Sequence, residues 1–352
     1  MGKENSIDGK IVTAIATPNI ALIKYWGKAD EKLIIPQNSS ISITLGEKLN
    51  TKTSIVFSSK LDEDVFYING ERQDLSENDI KERFNVINML RAAAGVKYKV
   101  AVVSENSFPT AAGLASSASG ISAMVFAANN ALELGMSTFE LGRIARQGSG
   151  SSCRSLAGGF VKWEKGIQND GLDSSIRQIA PSSHWPEIID IIAIVSKSRK
   201  KVSSRAGMKQ TVETSILYKS RPKHAENACK ALEQAILSRD FDALATITMR
   251  DSNNMHALML DTWPPITYLN DVSFEIINSI HELNSANGNI IAAYTFDAGP
   301  NAHIITLRKN AEKVKSVLGQ ISGITELIEA GVGDGPRILP ESESILEKYV
   351  SI

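Results

Sequence analysis

The stretch Pro109-Thr-Ala-Ala-Gly-Leu-Ala-Ser-Ser-Ala-Ser-Gly120 is built almost wholly from small side chains. Before it, residues 98–103 form a β-prone apolar run; after it, residues 120–134 read as a strongly apolar helix. Strand, small-residue loop and helix in that order let backbone N–H groups approach a ligand closely, with the positive end of the helix dipole behind them. Ser116, Ser117 and Ser119 add hydroxyl donors. The loop is neither a Gly-x-x-x-x-Gly-Lys-Ser/Thr phosphate loop nor a Gly-x-Gly-x-x-Gly dinucleotide fingerprint. Composition leaves two readings open: an anion cradle, or a tight loop whose small residues let a helix pack closely.

Outward from this loop the chain sorts into strands first and helices later. Residues 11–15, 53–57 and 64–68 read as strands, with Asn69-Gly70 as a type I′ hairpin signal. Residues 39–45 (SSISITL) alternate apolar and small polar residues as a half-buried strand does. Helices are predicted over 77–94, ending before Gly95, and over 138–146, with strands at 160–163 and 188–195. A long helical region follows from about 207 to 259, with breaks near Pro222 and Arg239-Asp240, and a basic stretch at 197–201 precedes it. A helix over 271–284, a strand pair at 290–296 and 303–307, and a helix over 311–322 complete the pattern. This is mixed α+β rather than regular βαβ alternation, and a boundary near residue 190 divides the chain into 1–190 and 191–352.

Length and charge exclude several classes of function. At roughly 150 residues per domain, 352 residues make about two domains, and 43 % hydrophobic residues suffice for a real core. Lys and Arg number 38 against 39 Asp and Glu, so the excess positive charge that releases counterions from nucleic acid is missing. No nucleic-acid partner is expected, whereas a local basic pocket for a small anion is compatible with a net charge of −1. Cys153 and Cys229 form no C-x-x-C and no Cys/His cluster, so no structural zinc and no metal site is expected. The N-terminus lacks an apolar signal region, and residues 188–195 are too short and too interrupted by Asp190 to cross a bilayer. No membrane association and a reducing, cytoplasmic setting are the expectations.

Three further segments carry chemistry-bearing residues. Gly148-Ser-Gly-Ser-Ser-Cys-Arg-Ser155 reads either as a flexible linker or as a site in which Arg154, among hydroxyls, grips a carboxylate or phosphate with two N–H groups. Cys153 beside it reads as a small buried thiol. Asn19-Ile-Ala-Leu-Ile-Lys-Tyr-Trp-Gly-Lys28 concentrates Lys24, Tyr25, Trp26 and Lys28, which taken alone are packing residues and a solvated face. Asp297 ends an apolar strand before Ala-Gly-Pro-Asn, either as a turn residue or as a carboxylate aimed into a cleft. His303 nearby is as well explained by the strand as by catalysis.

Taken together, these segments resemble the mevalonate diphosphate decarboxylase family, within the galactose/homoserine/mevalonate/phosphomevalonate (GHMP) kinase superfamily. The resemblance runs in order through residues 19–28, 36–45, 108–120, 145–159, 202–214, 251–271, 294–302 and 331–336. Lys-Tyr-Trp-Gly-Lys, Gly-Ser-Gly-Ser-x-Cys-Arg-Ser and Thr-Phe-Asp-Ala-Gly-Pro-Asn-Ala are its specific motifs, and the glycine-serine loop is shared across the superfamily. Thr17 interrupts the usual Ala-Pro-x-Asn, and Ser152 stands where alanine is usual; neither replaces a residue of the chemistry. The resemblance implies a GHMP kinase-like α+β fold, with a ribosomal-protein-S5-type N-terminal domain and a ferredoxin-like C-terminal part around a cleft. It implies that ATP, as Mg2+-ATP, phosphorylates the tertiary 3-hydroxyl of (R)-mevalonate 5-diphosphate. Phosphate and CO2 then leave to give isopentenyl diphosphate.

The same resemblance assigns residues. Asp297 matches the catalytic aspartate near the 3-hydroxyl, and Arg154, assisted by Asn19, the group on the substrate carboxylate. Lys24 would neutralise transferring charge. Gly113, Leu114, Ala115, Ser116 and Ser117 would contact the ATP phosphates; Tyr25, Lys28, Ser149, Ser151, Arg205 and Met208 would line the diphosphate end. A homodimer is implied as well. The alternatives are a mevalonate 5-phosphate decarboxylase and a GHMP small-molecule kinase that keeps its phosphate ester. A non-catalytic metabolite-binding relative and a serine hydrolase fit the residues less well.

Overall fold

Alternating β-branched residues in the first half of the chain build two sheets, and a third forms from strands far apart in sequence. The structure is a computed structural model that describes residues 6–108, 116–196 and 202–350. Gly113, Leu114, Ala115 and the basic stretch 197–201 lie outside these described residues. The first elements are β1 (Ile11–Ala16), β2 (Asn19–Ile23), β3 (Lys28–Asp30), β4 (Ile35–Pro36), β5 (Ser40–Thr44), β6 (Thr51–Ser58), β7 (Val65–Ile68), β8 (Glu71–Arg72), α1 (Asn78–Ala94) and β9 (Lys99–Asn106). Then come α2 (Ser116–Ala131), α3 (Thr138–Gly148), a 3-10 segment (Gly150–Leu156), β10 (Phe160–Trp163), β11 (Ile176–Ala180) and β12 (Ile188–Ile194). The remainder is α4 (Ser204–Thr214), a 3-10 turn (Leu217–Ser220), α5 (Arg221–Ser238), α6 (Phe241–Asp261), α7 (Asp271–Asn287), β13 (Ala292–Phe296), β14 (Ala302–Leu307), α8 (Ala311–Leu318), β15 (Glu326–Gly331) and β16 (Arg337–Leu339).

The first sheet runs β16-β1-β6-β9-β7-β8, and α1, α2 and α3 cover one face. Its core joins Ile55, Phe57, Val100 and Val102 to Phe84, Ile87, Leu90, Met124 and Val125. At its edge the Asn69-Gly70 hairpin forms with both residues at positive φ, as a type I′ turn requires. The third sheet, β13-β14-β12-β15, packs with α5 to α8 around an isoleucine-rich core. Between them lies β11-β10-β5-β2.

That middle sheet corrects one expectation. Residues 39–45 are not half-buried: every residue of β5 is buried. Ile41 and Ile43 join the C-terminal core, while the small hydroxyls of the other face meet the 3-10 segment: Ser40 accepts from Arg154, and Thr44 donates to the Ala157 carbonyl. An alternation that signals solvent on one side here signals a buried polar layer beside Arg154. The predicted helical breaks are real: Pro222 sits in the first turn of α5, and Arg239 leaves α5 at φ 55° before Asp240 caps α6 by accepting from the Ala243 N–H. The helix predicted over 311–322 is shorter and stops at Leu318, and the apolar helix takes in residues 116–119 ahead of the expected start at 120. Strands β2, β3, β4, β11, β15 and β16 were not expected; β16 pairs antiparallel with β1, returning the last part of the chain to the first sheet.

Candidate active site

Lys24 and Asp297 come from opposite ends of the sequence and meet at the end of the middle sheet. Lys24 follows β2 and Asp297 follows β13; Lys24 Nζ donates to Asp297 Oδ1 at 2.7 Å. The lysine side chain is 2 % exposed and the aspartate 38 %, so a buried cation presents an accessible carboxylate. Burial pushes the Lys24 pKa down, and the charges of Asp297 and Asp251 oppose that shift. Asp297 thus ends the strand before Gly-Pro and also makes an ion pair with Lys24.

Arg154 is placed by a segment whose composition resembles a linker but whose structure is a buried 3-10 turn. Ser152 anchors it, its hydroxyl donating to the Ala145 and Ser149 carbonyls at 2.7 and 2.6 Å. Arg154 Nε donates to Asn19 Oδ1 at 3.2 Å and Nη1 to Ser40 Oγ at 2.8 Å, with the guanidinium over the Trp163 ring. Asn19 Nδ2 donates to Ser155 Oγ and to the Ser151 carbonyl, which fixes its amide orientation. Arg154 is 3 % exposed, and burial lowers its pKa. Cys153 is a free, buried thiol pushed up to about 12 by desolvation, which makes it inert as a nucleophile.

The remaining predicted cations gather beside Tyr25. Its ring stacks at 4.7 Å, tilted, on Trp163 and lies against Gly150, where a Cβ would stand 2.6 Å from the ring. The Tyr25 hydroxyl is buried without a hydrogen-bond partner among the described residues, and burial pushes its pKa up. Lys28 Nζ pairs with Glu31 at 2.5 Å, and Arg205 of α4 pairs with Glu82 of α1. The charges of Glu31 and Arg205 both reach Tyr25. Met208 lies in the apolar cluster beneath, among Trp26, Tyr218 and Met255, at 7 % exposure.

Ser117 Oγ lies 3.4 Å from Ser149 Oγ, which brings the start of α2 to the end of α3; Ser116 begins α2. His303 is a strand residue whose Nδ1 pairs with Asp190 at 2.6 Å inside the protein. Sequence reasoning missed Ser40, Glu31, Glu82, Arg221, Asp251 and Ser252. The alternation of β5 held a signal for Ser40, and the resembling segment 251–271 contains Asp251 and Ser252 without assigning them a role; the others are recognisable solely by what they touch.

Comparison with known proteins places this arrangement. The sequence model of the diphosphomevalonate decarboxylase-like N-terminal domain matches residues 16–176, and that of the mevalonate 5-diphosphate decarboxylase C-terminal domain matches residues 190–337. The chain is similar to diphosphomevalonate decarboxylase mvd1 of Aspergillus fumigatus, at 45 % identity over 324 residues, covering 88 % of this chain and 80 % of the relative. It is also similar to the diphosphomevalonate decarboxylase of Homo sapiens, at 45 % over 309 residues, covering 84 % and 76 %. A crystal structure of mevalonate 5-diphosphate decarboxylase superimposes with TM-score 0.87 at 38 % identity, over 97 % of this chain and 100 % of that one. MDDEF in complex with MVAPP, AMPPCP and magnesium superimposes with TM-score 0.84 at 38 % identity, over 94 % and 98 %.

Proposed function

This chain belongs to the diphosphomevalonate decarboxylase family, and on that premise we propose how its own residues carry the reaction. The enzyme decarboxylates (R)-mevalonate 5-diphosphate at the expense of ATP, giving isopentenyl diphosphate, ADP, phosphate and CO2. The observation that carries the assignment is the 2.7 Å contact of buried Lys24 with the accessible Asp297 carboxylate, whose charge also reaches Arg154.

The 3-hydroxyl binds at Asp297, which orients it and takes its proton as the phosphoryl group arrives. Such transfers depend mostly on positioning and charge neutralisation, so Lys24 serves both by fixing the carboxylate and by placing a cation next to the transferring group. Arg154, with Nε and Nη1 held by Asn19 and Ser40, turns Nη2 to the substrate carboxylate. The tertiary C–O bond then breaks with phosphate leaving, the C–C bond to the carboxylate supplies the alkene electrons, and CO2 departs. Arg154 orients the carboxylate but makes no covalent change.

Tyr25, Lys28, Ser149, Ser151 and Arg205 receive the diphosphate end, with Met208 in the apolar floor. The partnerless Tyr25 hydroxyl supports this, because a buried donor without an acceptor fits a site completed by a phosphate oxygen. Ser116 and Ser117, preceded by Gly113, Leu114 and Ala115, hold the ATP phosphates; hydroxyls and helix N–H groups together at the start of α2 fit a polyphosphate. Mg2+ bound with ATP neutralises charge on the phosphate oxygens. The proposal also takes the enzyme as a cytoplasmic homodimer divided near residue 190; light scattering on the purified protein tests the dimer.

A product balance with Mg-ATP and (R)-mevalonate 5-diphosphate tests the reaction. Equal release of ADP, phosphate and CO2 is expected. ADP without CO2 would mean a kinase, and turnover confined to the 5-monophosphate would overturn the roles of Lys28 and Arg205.

A further inference from the structure

We propose that Asp251 and Ser252, neighbours on α6, are positioning residues that set the distance between the two reacting side chains, with Arg221 as their clamp. The proposal rests on the roles assigned to Lys24 and Asp297 above. Lys24 lies just beyond the β2–β5 ladder, so its peptide groups have no strand partner. Side chains supply what the ladder does not. Asp251 Oδ2 accepts the Lys24 N–H at 2.7 Å, and the Lys24 carbonyl accepts from Arg221 Nη2 at 2.9 Å and from Asn38 Nδ2 at 3.1 Å. Arg221 grips Asp251 through Nη1–Oδ1 at 2.5 Å and Nη2–Oδ2 at 3.1 Å, and donates to Asn254 Oδ1 at 2.9 Å.

The next residue along the helix holds the other strand. Ser252 Oγ accepts the N–H of Phe296, the residue before Asp297, at 3.0 Å. One turn on, His256 packs edge-on against the Phe296 ring. One rigid helix therefore holds the peptide of Lys24 through position 251 and the peptide leading into Asp297 through position 252.

Asp251 and Arg221 are wholly buried, so neither meets the substrate. A buried ion pair is a poor source of stability, because desolvating two charges offsets their attraction. What this pair does is immobilise the two peptide units that flank the Lys24 Cα. Reacting groups tolerate little displacement: a shift of about 1 Å costs on the order of 100-fold in rate.

The test compares Asp251→Asn and Ser252→Ala with Thr248→Val in the full-length enzyme. Thr248 is buried on the same helix face, and its hydroxyl has no partner among the described residues, so this control changes a buried polar group of α6 while leaving the hydrogen bonds to Lys24 and Phe296 in place. Melting temperature, kcat, KM for both substrates and the fraction of active sites are measured for each. Asp251→Asn should lower kcat by about 100-fold and Ser252→Ala by about 10-fold per active site, with both KM values within about 3-fold of wild type. Thr248→Val should leave kcat per active site unchanged whatever its melting temperature.

Losses that vanish when scaled to the folded fraction, or that fall in KM alone, would overturn the proposal. Should Asp251→Asn fail to fold because Arg221 is left unpaired, Ser252→Ala decides by itself. Wild-type enzyme that releases no CO2 would refute the reaction, and the clamp would then be judged on whichever turnover the wild type shows.

Discussion

Replacing Tyr25 by Phe removes one oxygen and should move stability and substrate affinity in opposite directions. The hydroxyl is buried with no partner among the described residues, while the ring is held by Trp163 and by Gly150. Phe keeps the ring contacts and removes a polar group that left water without compensation. Such an unsatisfied group costs about 1–3 kcal/mol, so the substrate-free variant should be about 1 kcal/mol more stable than wild type. For a chain of this length that is a rise of about 2 °C in melting temperature. With substrate the sign reverses. A hydroxyl donating to a phosphate oxygen is worth about 1.5–3 kcal/mol, so affinity should fall by roughly 10- to 150-fold.

Two assays separate these effects: differential scanning calorimetry without ligand, and calorimetric titration with mevalonate 5-diphosphate. Because the gain and the loss come from the same atom, both must appear in the same variant. A Tyr25→Phe enzyme that melts several degrees lower, or that binds the diphosphate as tightly as wild type, would refute the reasoning. The first result would mean that the hydroxyl already has a partner, and the second that the diphosphate does not complete this site.

Asp297→Asn should lower kcat by about 100- to 10,000-fold while the dissociation constant for ATP, followed by titration, stays within about 3-fold. Glu82→Gln frees Arg205 from a solvent-exposed pair, and such pairs are worth about 0–1 kcal/mol, so KM for the diphosphate should drop by up to about 5-fold. A rise in KM would show that Glu82 orients Arg205 rather than competing for it. Burial, reinforced by the Lys24 charge, holds the His256 pKa down at about 4 against 6.5 for the free side chain. The unfolded chain therefore takes up a proton first as pH falls, and this group alone should remove about 2 kcal/mol of stability between pH 7 and pH 5. Urea unfolding at the two pH values checks it, and His256→Gln should flatten the difference.

Local pattern was enough to read most elements, because the cues lie within a few residues of one another: the Asn69-Gly70 turn, the Arg239-Asp240 break, the apolar run of α2. It failed where the partner is distant. β16 carries only Arg-Ile-Leu, and it becomes a strand because β1 offers it an edge more than 300 positions earlier. The polar face of β5 reads as solvent-exposed until the 3-10 segment with Arg154 is laid over it. For the site, Lys24, Arg154 and Asp297 were legible as motif residues, each also compatible with a bland role, until the fold brought Lys24 and Asp297 into contact. Asp251 and Ser252 open the resembling segment 251–271 but carried no role, and Arg221 lies outside every such segment, since nothing in their neighbourhoods says which peptide groups they will hold.

The charges explain how a chain with a net charge of −1 can bind an anion carrying a diphosphate and a carboxylate. Lys24, Lys28, Arg205 and Arg221 each meet a carboxylate in the structure: Asp297, Glu31, Glu82 and Asp251. Arg154 is the exception, for its hydrogen bonds go to the neutral side chains of Asn19 and Ser40. Burial strips this guanidinium of water and lowers its pKa, the charge of Asp297 only partly opposes that, and among the described residues no carboxylate pairs with it directly, which is unfavourable in the free enzyme. In the role proposed for Arg154, a substrate carboxylate relieves that cost when it arrives, which would make this position selective for a carboxylate over a neutral group. The grip must also weaken as CO2 forms and the negative charge is lost. Because Asn19 and Ser40 continue to hold Arg154 in place, the cation need not follow the departing group, and the carboxylate can give up its electrons without dragging its partner out of position.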